Sequence, residues 1–214
     1  AYIRDPRFEA HGAAIKWEPG IPARWYAERE LRYILKQHDW SQTILIAWHA
    51  AFDGLILSHH YDVHPARLVC PMSMFRLLYG THLSASLDNV RKYFGMPLKS
   101  TPYNLFKGKH WTDLDMATQE QVGHGAEDEV ESILKLFGRF AKDFPLEEFE
   151  VLDTTLKMFT EPMLQADTAL LAKVWEREEQ SKASRMAALG VAETELQSAD
   201  KFAALLRAED IEPE

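Results

Sequence analysis

The sequence predicts an α/β fold, a small sheet flanked by helices, followed by an all-helical C-terminal segment. Three observations carry that expectation. Thr43 to Trp48 (TILIAW) is a continuous, apolar, partly β-branched run with helical patterns on both sides. Such a run marks a strand buried on both faces of a sheet covered by helices. Phe8 to Trp17 (FEAHGAAIKW) is apolar with small residues and is closed by the turn signal Glu18-Pro19-Gly20, so it reads as an extended strand. After Phe144-Pro145, helical patterns run to the end with no strand candidate, which divides the chain into residues 1–144 and 145–214.

The remaining elements follow in order. Between Ala27 and His38, Leu31, Ile34 and Leu35 recur at helical spacing. Gly54-Leu55-Ile56-Leu57 starts a second helix. Pro71 opens a third that Gly80 ends, and Leu87, Val90 and Phe94 mark a short fourth ended by Gly95. Residues 96–112 contain Pro97, Pro102, Gly108 and scattered lysines, and read as a long loop. Thr118 begins a helical stretch with the apolar stripe Val130, Ile133, Leu134 and Phe137. In the tail, Gly190 is suited to a helix C-cap and Ser198 to an N-cap. There is no internal repeat and no low-complexity tract.

Composition narrows the function classes. The 214 residues include 24 Lys plus Arg, 33 Asp plus Glu, 46% hydrophobic residues and a single cysteine, Cys70. One cysteine excludes an internal disulfide framework and suits a reducing compartment. No apolar run reaches the length of a membrane span, and AYIRDPRFEA is no signal peptide. A net charge of −9 argues against a protein that grips nucleic acid through a broad basic surface. It leaves room for a nuclease, whose metal site is itself acidic.

Three constellations could carry chemistry. In Trp48-His49-Ala50-Ala51-Phe52-Asp53-Gly54, Asp53 lies where the strand gives way to a helix. There it either holds a divalent metal by hard oxygen ligation or caps the helix. In His124-Gly125-Ala126-Glu127-Asp128-Glu129, a helical turn of about 100° per residue ranks the acids. Glu129 lies beside Val130 and Ile133 at the edge of the buried stripe, Asp128 points away, and Glu127 flanks it. Glu129 is better placed for a metal, Asp128 is the more usual ligand, and a solvated acidic face is the bland alternative. His60 and His64 have the spacing of a helical zinc pair, but Pro65 disfavours a continued helix and no further ligands complete a site. In the long loop, Lys99, Lys107 and Lys109 alternate with Tyr103, Phe106 and Trp111, a mixture suited to single-stranded DNA or to a solvated loop with a small apolar cluster.

Together these segments resemble the 3′→5′ exonuclease domain of phage and bacterial family A DNA polymerases, in the DEDD exonuclease superfamily. YIRDPRFEAHGAAIKW is similar to the segment after that family's first motif, AWHAAFDGLIL to the second, and HGAEDEVESILKLF to the third. LDTTLKMFTEPMLQADTALL and SADKFAALLRAEDIEPE resemble the helical bridge towards the polymerase thumb. The resemblance implies a ribonuclease-H-like mixed sheet and hydrolysis of DNA 3′-terminal phosphodiesters with two Mg²⁺ or Mn²⁺ ions. It makes residues 1–144 the exonuclease-like domain and 145–214 the bridge and start of the thumb.

By the same resemblance Asp53 is a metal ligand, with Asp128 or Glu129 as the third-motif acid. His124 activates the attacking water, and Phe52, His49, Lys107 and Lys109 contact the nucleic acid. The implied partners are a single-stranded DNA 3′ end and the rest of a polymerase, with no membrane. The implied location is the cytoplasm of a bacterial host or phage-infected cell. The chain departs from the pattern in lacking the opening Asp-x-Glu motif and its strand, and in carrying Trp48-His49 where His-Asn is usual. We therefore expect a segment of a longer polymerase that alone hydrolyses DNA feebly or not at all. The alternative is a catalytically silent exonuclease-like domain that positions DNA or braces the polymerase.

Overall fold

The structure, a computed structural model, describes residues 2–99 and 106–213. Two compact units divide the chain, Ala1–Met163 and Leu164–Glu214.

The first unit is a mixed α/β arrangement built on two short ladders. Strands β1 (Gly12–Ile15) and β2 (Arg24–Ala27) pair antiparallel, with Gly12 opposite Ala27 and Ile15 opposite Arg24. Helix α1 (Glu28–Gln37) follows β2 directly. Strand β3 (Ile44–Ile46) pairs in parallel with β4 (Arg67–Val69), and α2 (Ala50–Tyr61) is the crossover that a parallel pair requires. Then come α3 (Pro71–Tyr79), α4 (Leu87–Tyr93), the long α5 (Met116–Phe140) and α6 (Leu146–Thr160). Pro71 sits in the first turn of α3 as the sequence suggests, and Ser86, which the sequence reading did not single out, caps α4, its Oγ accepting the Asn89 amide.

Helix α5 organises the core. It packs on β1, β2 and α3, and its Leu136 and Phe140 are buried with Val69, Met74, Phe75 and Val90. Burying each such side chain stabilises the fold by about 1.5–3 kcal/mol. On the other side, Ala13 and Ile15 of β1 meet Leu31 and Leu35 of α1 and Leu57 of α2. Helix α6 belongs to this same unit because it packs on α2 and β4, so the unit continues past the division drawn at residue 144. Gly54 permits that contact: a Cβ there would lie 2.9 Å from Thr160 Cγ2.

Each ladder has one edge closed by helix carboxylates. Outside β2, the Trp25 amide donates to Glu127 Oε1 (2.7 Å) and the Ala23 amide to Glu131 Oε1 (2.8 Å), both acids coming from α5. Outside β4, the Leu68 amide donates to Asp153 Oδ1 (2.8 Å) from α6, while Lys157 holds the other oxygen at 2.9 Å. Strand edges left bare invite pairing with other chains, and these acids cover them. The remaining edges, of β1 and β3, pair with no strand among the described residues.

Several expectations change. β2 and β4 are strands that the sequence reading did not identify. The strand expected over Thr43–Trp48 covers only Ile44–Ile46, and Ile44 is 56% exposed rather than buried on both faces. The extended segment 8–17 narrows to Gly12–Ile15, since Phe8 leaves the ladder to stack on His60. The histidine pair is not a metal pair. Helix α2 ends at Asp62 in the left-handed conformation, His60 Nε2 bonds the Ile3 carbonyl (2.8 Å), and His64 faces Asp62 (3.1 Å).

The second unit is wholly helical among the described residues: α7 (Thr168–Leu189), α8 (Glu193–Leu196) and α9 (Ala199–Ala208). Asp167 and Ser198 cap α7 and α9, Gly190 ends α7 in the left-handed conformation, and Lys182 ties α7 to Glu193 at 2.7 Å. No helix among the described residues is long and apolar enough to cross a membrane.

Candidate functional site

A cleft of about 490 Å³ opens beside the C-terminal end of β3, lined among others by Trp48, His49, Arg76, Ser86, Lys99 and Glu129. Its floor is held at several points. The Trp48 indole donates to the Ala85 carbonyl (3.2 Å), and the buried Cys70 thiol donates to the Trp48 carbonyl (3.2 Å). His49 precedes α2, and its carbonyl accepts the amides of Phe52 (2.8 Å) and Asp53 (3.2 Å). The Phe52 ring stacks on His49 with centroids 6.1 Å apart.

Asp53 lies in the first turn of α2 but does not cap it; the cap position is His49, with no side-chain cap bond. Burial raises the Asp53 carboxyl to about 6, the charge of Glu129 adds to the rise, and His49 opposes it. Asp53 and Glu129, distant in sequence, are thus electrostatic neighbours.

The three consecutive acids of α5 have three different surroundings. Glu127 covers the edge of β2. Asp128 is ion-paired with Arg91 of α4, whose side chain is fully buried. Glu129 lines the cleft, 16% exposed, with Lys99 Nζ 3.2 Å from its Oε2. Of the two acids open for the third motif, Glu129 lines the cleft and is an electrostatic neighbour of Asp53, while Asp128 turns towards Arg91. His124 stands outside the cleft, its side chain 81% exposed and its Nδ1 3.1 Å from Glu127 Oε2.

The loop residues divide as well. Lys99 is at the cleft, whereas Lys107 and Lys109 are exposed and not among its lining residues. The Lys109 carbonyl accepts from His11 Nε2 (3.1 Å), and Glu9 receives the Trp111 amide (3.3 Å) and meets His110, whose hydrogen bond holds the Glu9 carboxyl below its ordinary range. Phe106 and Trp111 therefore gather around His11, with ring centroids 6.1 and 5.4 Å away. Tyr103 lies outside the described residues. Arg76 and Arg91 did not emerge from sequence reasoning. Arg91 was detectable, because it follows Leu87 by four positions and precedes Phe94 by three, on the apolar stripe of α4.

Comparison with family models, curated proteins and solved structures finds no match. The chemistry open to the cleft is then that of its own side chains. Glu129 is the one carboxylate among the cleft's lining residues and Asp53 is its electrostatic neighbour; carboxylates are the hard oxygen donors that Mg²⁺ or Mn²⁺ takes. Two such ions side by side repel each other and need more carboxylate than this pair supplies. Among the described residues no group of three or more His, Cys, Asp and Glu is placed to hold a metal ion. Arg76 and Lys99 add positive charge and Trp48 adds ring surface, with Phe52 (39% exposed) stacked on the lining His49, a combination suited to a phosphodiester with its base.

Proposed function

We propose that this chain is the 3′→5′ exonuclease-type module of a phage-like or bacterial family A DNA polymerase, with a ribonuclease-H-like fold that handles single-stranded DNA 3′ ends. The observation that carries it is the electrostatic proximity of Asp53, in the first turn of α2, to Glu129, from the middle of α5, beside a cleft that Glu129, Arg76 and Lys99 line. The ladder order adds support: an antiparallel pair, then a parallel pair, each with one unpaired edge where the family's first strand would lie. In this reading Asp53 and Glu129 would hold a divalent ion, which would supply Lewis-acid chemistry at a scissile phosphate. Trp48, His49 and Phe52 seat the terminal nucleotide, and Arg76 holds its phosphate. His124 is left a supporting role through Glu127. The all-helical segment leads towards a thumb, and the setting is the cytoplasm of a bacterial host or phage-infected cell.

A silent, DNA-positioning domain is the second reading, favoured by the convergence of only two carboxylates among the described residues. Fluorescence anisotropy and gel analysis with a 5′-labelled single-stranded oligonucleotide in Mn²⁺ test both. The enzyme reading expects binding with slow 3′ shortening that Asp53→Ala abolishes; the silent reading expects binding alone. No binding at low salt, or robust shortening untouched by Asp53→Ala, overturns the proposal.

A further inference from the structure

We propose that the cleft beside β3 grips a phosphodiester through its own cations, Arg76 and Lys99, and holds it with no metal bound. The lining is built for an anion. It contains two cationic side chains, Arg76 and Lys99, and one carboxylate, Glu129. With His49 counted neutral, that leaves one net positive charge at the cleft, in a chain whose net charge is −9. Each phosphodiester carries one negative charge, so the cleft and a single linkage balance. Asp53, the electrostatic neighbour of Glu129, is not among the lining residues.

The two cations have different tasks. Lys99 is committed to Glu129, with its Nζ 3.2 Å from Oε2, and its backbone amide donates to Asp88 Oδ1 (3.1 Å). That pairing keeps the carboxylate from repelling an incoming anion. Arg76, exposed on α3, forms no ion pair among the described residues. Its planar guanidinium presents N–H donors in the fork that phosphate oxygens accept bidentately. Hydroxyls complete the set, since Thr81, Ser84 and Ser86 line the same cleft. Ser86 Oγ accepts the Asn89 amide (3.3 Å), which leaves its own proton for an acceptor such as phosphate. The Trp48 ring, fixed by its N–H on the Ala85 carbonyl, supplies an apolar wall for an adjoining base. For an anion this lining is rich in donors; for a hard cation it offers one carboxylate, already paired. The inference deepens the proposed reading by naming how the cleft holds its ligand, and rests on it only in taking the phosphodiester from DNA.

Binding of the dinucleotide thymidylyl-(3′→5′)-thymidine to the full chain, followed by NMR titration at low salt with EDTA present, tests it. The dinucleotide is expected to bind, and its uncharged methylphosphonate analogue to bind roughly tenfold more weakly to the same unaltered protein. Arg76→Gln, at an exposed position, should weaken the dinucleotide by a similar factor. Glu129→Gln should tighten it severalfold, because the cleft loses its one negative charge; a grip through a carboxylate-bound metal would lose affinity instead. No binding in EDTA overturns the proposal, and if Mn²⁺ restores it the exonuclease reading survives. Equal binding of the two analogues, unchanged binding in Arg76→Gln, or weaker binding in Glu129→Gln also overturns it. Binding in EDTA with no 3′ shortening in Mn²⁺ would strike the exonuclease reading and leave this inference standing.

Discussion

The two ladders of the first unit close their edges with the same device in different surroundings. Outside β2, Glu127 and Glu131 reach from α5 into a partly open surface; the Glu131 side chain is 35% exposed and shared with Lys16. Outside β4, Asp153 is buried at 8% exposure and shares its charge with Lys157. The comparison separates structural acids from chemical ones. Glu127, Glu131 and Asp153 receive amides at the strand edges, whereas Asp53 is buried in the first turn of α2 and Glu129 lines a cleft. An acidic run on a helix can therefore hold a sheet edge, a neighbouring helix and a cleft within three consecutive residues.

The sharpest way to break the comparison is Asp153→Ala. It leaves the Leu68 amide buried without an acceptor and Lys157 without its partner, and is expected to cost about 3 kcal/mol in urea unfolding. A loss below about 1 kcal/mol would equate the two ladders. Next is pH. Asp53 has a folded pKa near 6, above its ordinary 3.8, so the folded state binds its proton where the unfolded chain has released it. Above pH 6 the buried charge opposes folding, and as pH falls from 8 towards 5 that penalty is relieved. Wild type should gain about 1.4 kcal/mol over this window relative to Asp53→Asn. Parallel stability–pH curves for the two proteins would place Asp53 in water. Gly54→Ala follows, because its Cβ meets Thr160 Cγ2 and pushes α6 from α2; a loss of about 1–2 kcal/mol is expected in thermal melts. The smallest effect is Glu131→Gln, expected below about 1 kcal/mol since its bonds are half open to solvent, and checked by the same urea titration.

Much of the fold was legible because its signals are local. Pro71 and Gly80 bound α3, Gly190 ends α7 and Ser198 caps α9, all through contacts within a few residues. β2 and β4 were not, since four and three residues carry too little periodicity. Their outer partners also come from afar: Trp25 meets Glu127, and Leu68 meets Asp153. At the site, helical geometry pointed Glu129 inward before any coordinates. Its neighbour Lys99 could not be foreseen, because its position depends on the path of the chain after α4. The family resemblance made His124 the water-activating residue, yet its spacing of three residues from Glu127 hands it to that acid on one helix face.

Cys70 has a practical consequence. It is the sole thiol of the chain, 1% exposed, and its sulfur is tied to the carbonyl of Trp48 beneath the cleft. A thiol so enclosed reacts with a maleimide or disulfide probe only when the local structure opens. Each labelling event therefore counts one opening of the cleft floor, at one site and with no competing thiol. The molecule carries its own clock for that motion, readable by mass in a timed labelling series without any substitution.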